Sequence, residues 1–368
     1  MTILSRFLRY GITTGATAAA ASKAALIALL KEPVDRVVIP TPIGLRFEVQ
    51  VKSSRKIGDS AEAVVVKDAG QDIDATDKME ITATVKLTND GKVTIKSGVG
   101  IGKVTKPGLQ VPIGEGAINP VPKSMITEAL KEVLPPGKGV EVTISAPEGA
   151  NIAKKTMNAK LGIKGGVSIL GTTGVVKPLS LEACRRSLVP QIDVALARGY
   201  KRLVFVPGNI GERIAKQQFN VPEDAIVQTG DFVGYMLDKA VEKGVKEIIL
   251  LGHSGKIVKL AANIFNTHHK VGDARNEVIA SYAGAVGANQ KTINELLAAN
   301  TSDEATEILK ATTLVEPTYT RIAERVHQRV SDRVENKIKI SVIIVSMDGK
   351  VLGMDDNARC NKPWLKLA

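Results

Sequence analysis

The sequence predicts two domains: an α+β domain over residues 1–178 and a three-layer α/β domain over residues 179–368. Three observations lead there. The chain has 368 residues, more than one hydrophobic core usually serves. Before Pro178, several short runs alternate apolar with polar residues, the mark of half-buried strands. After it, helical stretches alternate with short apolar strands, which implies parallel strands joined by right-handed crossovers.

In chain order, Thr13 and Thr14 precede an alanine-rich run that reads as an amphipathic helix to about Lys31, with Pro33 beyond its end. Lys23 interrupts this run, which argues against a signal peptide or membrane span. Leu45, Phe47, Val49 and Val51 form one alternating strand, and Ile81, Ala83, Val85 and Leu87 another. Residues 61–67 and 140–146 add two more, and a helix opens at Ser124 and ends before Pro135. The acids between Asp68 and Glu80 fail the spacing of a calcium loop and read as a solvated turn. In the second domain the expected order is a helix over 181–198, strand 202–206, strand 225–228, helix 232–243, strand 246–251 and a helix from Ile257 to Phe265.

Asn151 to Ser180 is the most unusual stretch. It carries Gly162, Gly165, Gly166, Gly171 and Gly174 and five lysines, with no acid between Gly149 and Leu181. Such glycines let backbone N–H groups approach a ligand, and unneutralised lysines favour an anion; the same glycines would also suit an interdomain hinge. Gly166 to Leu170 reads as a short buried strand and Gly171 to Gly174 as the turn leaving it. Thr13-Thr14-Gly15 suits either a helix cap or an anion site at a helix start. The long Gly/Pro loop from Ser97 to Pro122 has Lys103 and Lys106 and no acid before Glu115; loops of that length are often functional.

Composition narrows the partners. Charged residues at 24% and hydrophobic ones at 44% describe a soluble globular protein. Lys+Arg outnumber Asp+Glu by 50 to 38, a net charge of +12, which points to a polyanion. Aromatic residues at 3% argue against nucleic acid, because single-strand and RNA binders stack bases on aromatic rings. Two cysteines, Cys184 and Cys360, give neither a zinc site nor a disulfide framework, which fits a cytoplasmic location. A homo-oligomer stays open.

Parallel α/β sheets bind ligands beyond the carboxyl ends of their strands, where Pro207-Gly208-Asn209 and Gly252-His-Ser-Gly-Lys256 fall. Neither turn fits a known phosphate fingerprint. Leu250 stands where the first glycine of a Walker A loop belongs, Ile257 replaces its Ser/Thr, and no G-x-G-x-x-G follows any strand. The residues alone therefore support a two-domain enzyme that binds a small polyanion.

Several stretches together resemble blocks of the CbiD family. They are Arg9 to Gly15, Gly98 to Gly102 with Val104 to Gly108, Ala117 to Pro122, Lys155 to Asn158, Leu161 to Ile163 and Gly165 to Gly174. Gly252-His253 with Gly255-Lys256, Phe265 to His268 and Asp273 to Arg275 complete the set. The resemblance implies a Rossmann-like second domain and S-adenosylmethionine-dependent methylation of C-1 of cobalt-precorrin-5B, giving cobalt-precorrin-6A. Cobalt would arrive in this corrinoid substrate, so no metal ligands are expected of the protein. The strand-end rule then puts Gly208, Asn209, Gly252, Gly255 and Lys256 around S-adenosylmethionine. Thr13, Thr14, Gly15, Lys164, Thr172, Thr173, Lys259, Thr267, His268 and Arg275 would face the macrocycle, with Lys256 also within reach of its carboxylates. His253 is the candidate general base, or else a hydrogen-bonded structural residue. The chain departs from the family at Thr17, where cysteine is usual, at Asp74-Ala-Thr-Asp77, where a histidine often occurs, and at Ser254, where isoleucine is common. A non-catalytic corrinoid carrier and a nucleic-acid-binding protein are the alternative classes.

Overall fold

The computed structural model describes residues 8–360, and the chain divides into two compact units between Leu181 and Glu182. The first unit begins with β1 (Gly11–Ile12), α1 (Thr14–Leu30), β2 (Arg36–Pro40), β3 (Arg46–Gln50), β4 (Ser53–Ile57), β5 (Ser60–Val66) and β6 (Glu80–Thr88). It continues with β7 (Val93–Ser97), β8 (Lys103–Val104), α2 (Pro120–Lys131), β9 (Gly139–Ser145), α3 (Gly149–Ala153), β10 (Ile163–Lys164) and β11 (Val175–Val176). Five strands form one sheet in the order β4-β5-β6-β9-β7, antiparallel except for the β9/β7 pair.

Alternation sets this sheet's inner face. Ala61, Ala63 and Val65 of β5 and Ile81, Ala83 and Val85 of β6 are fully buried. The alanines leave room for α1, which packs on β5, β6 and α2. The expected amphipathic helix is instead buried on nearly every side, with fifteen of its 17 residues inside, as an apolar helix within a core must be. Even Lys23 is inside, its ammonium donating to the Val38 carbonyl at 2.7 Å and to Glu132.

Other expectations also change. β3 pairs only with β2, so Leu45 stays exposed and Val49 is the one buried residue of β3. Gly166 to Leu170 forms no ladder: Val167 and Ile169 are buried as expected, but each makes a single bridge, to Ile101 and Ile118. The acidic loop is tied down and not merely solvated. Asp74 holds buried Lys67 at 2.6 Å, Asp77 accepts from the Ala69 N–H, and Asp72 accepts from the Leu179 N–H.

The second unit runs α4 (Leu181–Leu188), α5 (Pro190–Ala197), β12 (Arg202–Val206), α6 (Asn209–Gln217), β13 (Ile226–Gln228), α7 (Val233–Glu242), β14 (Glu247–His253) and α8 (Ser254–Ala261). Then come α9 (Arg275–Ala285), α10 (Gln290–Ala298), α11 (Ser302–Lys310), α12 (Val315–Arg333), β15 (Lys339–Val345), β16 (Val351–Met354) and α13 (Asp356–Cys360). The single helix expected over 181–198 breaks at Pro190, whose ring cannot continue the hydrogen-bond ladder. Strand order is β13-β12-β14-β15-β16, with the first four parallel and β16 antiparallel. Both faces are covered. Val204, Val206, Ile249 and Leu251 pack with α6 and α13, while Leu203, Phe205, Ile248 and Leu250 pack with α7, α8 and α12. No helix among the described residues is long and apolar enough to cross a membrane.

Glu132, which follows α2, pins three elements of the first unit together. It accepts from Arg46 at 2.7 and 2.9 Å and from Lys23. The Arg46 hydrogen bonds, aided by Lys23 and opposed by partial burial, hold its carboxyl at about 2 against the usual 4.5. A depressed carboxylate stabilises the fold above its unfolded pKa and loses that contribution as pH falls through the folded one. Thermal denaturation should therefore show Glu132→Gln less stable than the parent at neutral pH, with the gap closing between pH 4.5 and about 2. A gap independent of pH would show that the charge is immaterial.

Candidate active site

In the second unit, β12 and β14 lie side by side and parallel, with Phe205 opposite Leu250, so their carboxyl ends meet at one edge. The turns that follow are in contact: a Cβ on Gly252 would stand 3.0 Å from Pro207 Cδ. From this edge the chain leaves β12 for α6 on one face and β14 for α8 on the other. That divergence marks the point where strand order reverses, the place at which ligands bind in open α/β sheets.

The two turns are built differently. At the start of α8, His253 Nδ1 accepts from the Gly255 N–H at 3.2 Å, and Nε2 lies 3.0 Å from Asp303 Oδ1. His253 is thus a helix cap whose two ring nitrogens both have partners, as in the hydrogen-bonded structural alternative. Gly252 and Gly255 are glycines because the protein itself crowds them: added Cβ atoms would lie 3.0 Å from Ile257 and from Ser302 Oγ. At the start of α6, Gly208 is exposed, in extended conformation, with no atom within 4 Å of where a Cβ would stand. No side chain caps this helix, and Asn209 is exposed, accepting from Gln228 at 3.3 Å. Its first N–H groups therefore face an open approach, the arrangement that favours an anionic group.

Asp231, three residues beyond β13, joins the same edge. Lys256 of α8 donates to its Oδ1 at 2.6 Å and the buried Thr267 hydroxyl to the same oxygen at 3.0 Å. Burial raises the Asp231 carboxyl, but the Lys256 hydrogen bond and charge outweigh it and keep it below the ordinary range. Oδ2 has no hydrogen-bond partner among the described residues. Lys259, expected to face a substrate carboxylate, is buried and donates to the carbonyls of Thr267 at 3.2 Å and Gly272 at 3.0 Å. It braces the 267–272 loop, and burial lowers its pKa. Arg275 makes two bonds to Asp273, at 2.7 and 2.6 Å. His268 accepts from the Lys270 N–H and stacks on His269 at 4.4 Å.

Sequence reasoning missed Asp231 and Asp303. Asp231 had a signal, an acid after Thr229-Gly230 at a strand's carboxyl end; Asp303, fifty residues from His253, had none.

In the first unit, most expected ligand groups are spent on the protein. Thr13 caps α1 by accepting from the Ala16 N–H, and the buried Thr14 hydroxyl bonds both the carbonyl and the N–H of Leu170. The Gly15 N–H donates to Leu170, and Thr173 accepts from the Val175 N–H. Thr172 is exposed. The glycine density here serves backbone contact: a side chain on Gly100 would overlap Ala146, and one on Gly166 would overlap Gly100. Lys164 is exposed on β10, directly opposite Lys103 of β8.

Residues 3–178 match the family profile described as CbiD, and residues 266–356 match CbiD, C-terminal domain. Among curated proteins, the cobalt-precorrin-5B C(1)-methyltransferase of Methanocaldococcus jannaschii is 50% identical over 347 residues, covering 94% of this chain and 96% of that protein. The chain belongs to the CbiD family. The Moorella thermoacetica protein of the same name is 44% identical over 353 residues, 96% of each chain. A crystal structure of the cobalamin biosynthesis protein cbiD from Archaeoglobus fulgidus is 32% identical, covers 73% of this chain and 84% of that one, and has a TM-score of 0.39. On this CbiD chain, Thr267, His268 and Arg275 fall within the C-terminal family match, whereas Gly208, Asp231 and Lys256 lie between the two matched regions.

Because His253 acts as a cap, His253→Ala should cost about 1 kcal/mol of stability, and His253→Asn, a good capping residue, should recover most of it. Turnover should follow the same order. A folded His253→Asn protein without single-turnover methylation would restore the imidazole to the chemistry.

Proposed function

We propose that this chain transfers a methyl group from S-adenosylmethionine to C-1 of cobalt-precorrin-5B, giving cobalt-precorrin-6A. What supports the reading most is near full-length identity to curated relatives that carry the name of this reaction. The four parallel strands with helices on both faces favour a Rossmann-like donor-binding role for the second unit. The first unit is assigned to the substrate.

Within the second unit, the α6 turn is the donor's place. Its open N–H groups and Gly208 suit the amino-acid carboxylate of S-adenosylmethionine. Asp231 suits a ribose hydroxyl, since Lys256 and Thr267 occupy Oδ1 and leave Oδ2 to accept. Asp231 lies 23 residues beyond Gly208, close to the roughly 20-residue spacing at which an acid meets the ribose in dinucleotide-binding units. Lys256 then positions Asp231, with no direct contact to the macrocycle required.

S-adenosylmethionine supplies an electrophilic methyl on a sulfonium. The carbon–sulfur bond breaks with its electron pair left on sulfur, while a pair from the macrocycle forms the new bond to C-1. Positive charge passes from sulfur to the conjugated macrocycle as the new bond forms, where it is spread out or discharged by loss of a proton, so the protein need not stabilise a localised new ion. Its main contribution is to hold donor and acceptor in line, and alignment of this kind can remove roughly 7–11 kcal/mol of barrier. The net charge of +12 suits a macrocycle that carries several carboxylates.

Incubation with cobalt-precorrin-5B and methyl-labelled donor should place one label on C-1. Gly208→Val, at a position where an added Cβ has no protein atom within 4 Å, should fold normally yet bind S-adenosylhomocysteine at least about tenfold more weakly by calorimetry. Unchanged binding would move the donor away from the α6 turn.

A further inference from the structure

We propose that Lys103 and Lys164 form a two-lysine clamp for an ionised side-chain carboxylate of the macrocycle, a deepening that rests on the substrate role assigned to the first unit. β8 and β10 form an antiparallel ladder of two residue pairs, Val104 with Ile163 and Lys103 with Lys164. Residues directly opposite in such a ladder project from the same face with Cβ atoms roughly 5 Å apart. Val104 and Ile163 are buried, so they define the inner face, and the two lysines stand together on the outer, exposed one.

Like charges facing each other across a ladder repel, and no carboxylate among the described residues relieves this pair. Neither ammonium has a carboxylate partner among the described residues. Glu115 neighbours the Lys103–Gly116 bridge, but its carboxylate lies against Lys123 at 3.3 Å. Residues 150–180 contain no acid at all. Beside the pair, Gly165 has φ +82° and no atom within 4 Å of a Cβ position, so the approach to the ladder is unobstructed. An anion set between two ammonium groups turns the repulsion into two charge-assisted hydrogen bonds.

A groove elsewhere in this unit is a poorer carboxylate site. It has a volume of about 730 Å³ between Tyr10, Phe47 and Val175, but its cations are neutralised: Lys52 by Glu80 and Lys78 by Asp68. The ladder pair is therefore the place where the first unit reads an ionised acid.

The test is calorimetric titration of the full chain with cobyrinic acid, a corrin with free side-chain carboxylates, and with cobinamide, whose side chains are amides. Lys103→Gln and Lys164→Gln should each weaken cobyrinic acid binding about tenfold and leave cobinamide binding unchanged. Lys56→Gln, on exposed β4, removes the same charge and should change neither. Both clamp variants should melt no lower than the parent, because the repulsion is relieved. Equal weakening in all three variants, no weakening in the clamp variants, or failure of the parent to bind cobyrinic acid would each overturn the clamp. The methyl-transfer reading stands or falls separately, on the labelled-donor assay.

Discussion

The reversal of strand order between β12 and β14 is the constraint on which the proposed donor site depends. Because successive parallel strands need right-handed crossovers, the chain goes to one face after β12 and to the other after β14. Beyond the two turns the chain therefore departs to opposite faces of the sheet. Gly208, Asp231 and Lys256 come from three separate strand-to-helix connections, yet this topology brings all three connections to one edge. The difference between the turns follows from side chains: His253 caps the start of α8, and no side chain among the described residues caps the start of α6.

In the first unit a steric constraint has the same standing. A helix of alanines lies between α2 and a sheet whose inner face at Ala61, Ala63 and Ala83 is also alanine. Small side chains on both surfaces permit close backbone approach, and the loops around Gly100, Gly149 and Gly166 repeat the device without helices. Around this alanine contact the core packs Leu26, Ile81, Met125, Leu130 and Ile144, and fixed polar contacts join its margins. Glu132 with Lys23 and Arg46 is one, and Thr14 with Leu170 another. The backbone that looked available to a ligand in the sequence is largely committed to this packing, which leaves charge, at Lys103 and Lys164, as the feature turned outward.

What was legible in the sequence follows the range of the forces involved. Strands with clean alternation, such as β6, and short apolar strands between helices, such as β12, are local patterns and were read within a residue or two. The C-terminal helices α9 to α12 and strand β15 were not read at all. Leu45 was expected on a buried face but is exposed, because strand neighbours are set by tertiary order, which alternation does not encode. For the site, glycine and lysine positions were visible, but their partners were not. Nothing near His253 announces Asp303, and nothing near Lys259 shows that its ammonium ends inside a loop. Long-range hydrogen bonds decide whether a polar residue is free to meet a ligand, and those bonds exist only once the chain has folded.

The claim at the centre of this account is that the methyl donor is held by the turn after β12, with Asp231 beside it. Hydrogen–deuterium exchange with saturating S-adenosylhomocysteine tests it directly. The account predicts new protection at the amides of residues 208–212 and 229–231, with those of Gly255 and Lys256 little changed because His253 already caps that turn. Protection confined to 252–256, or found only in the glycine loops of the first unit, would contradict it.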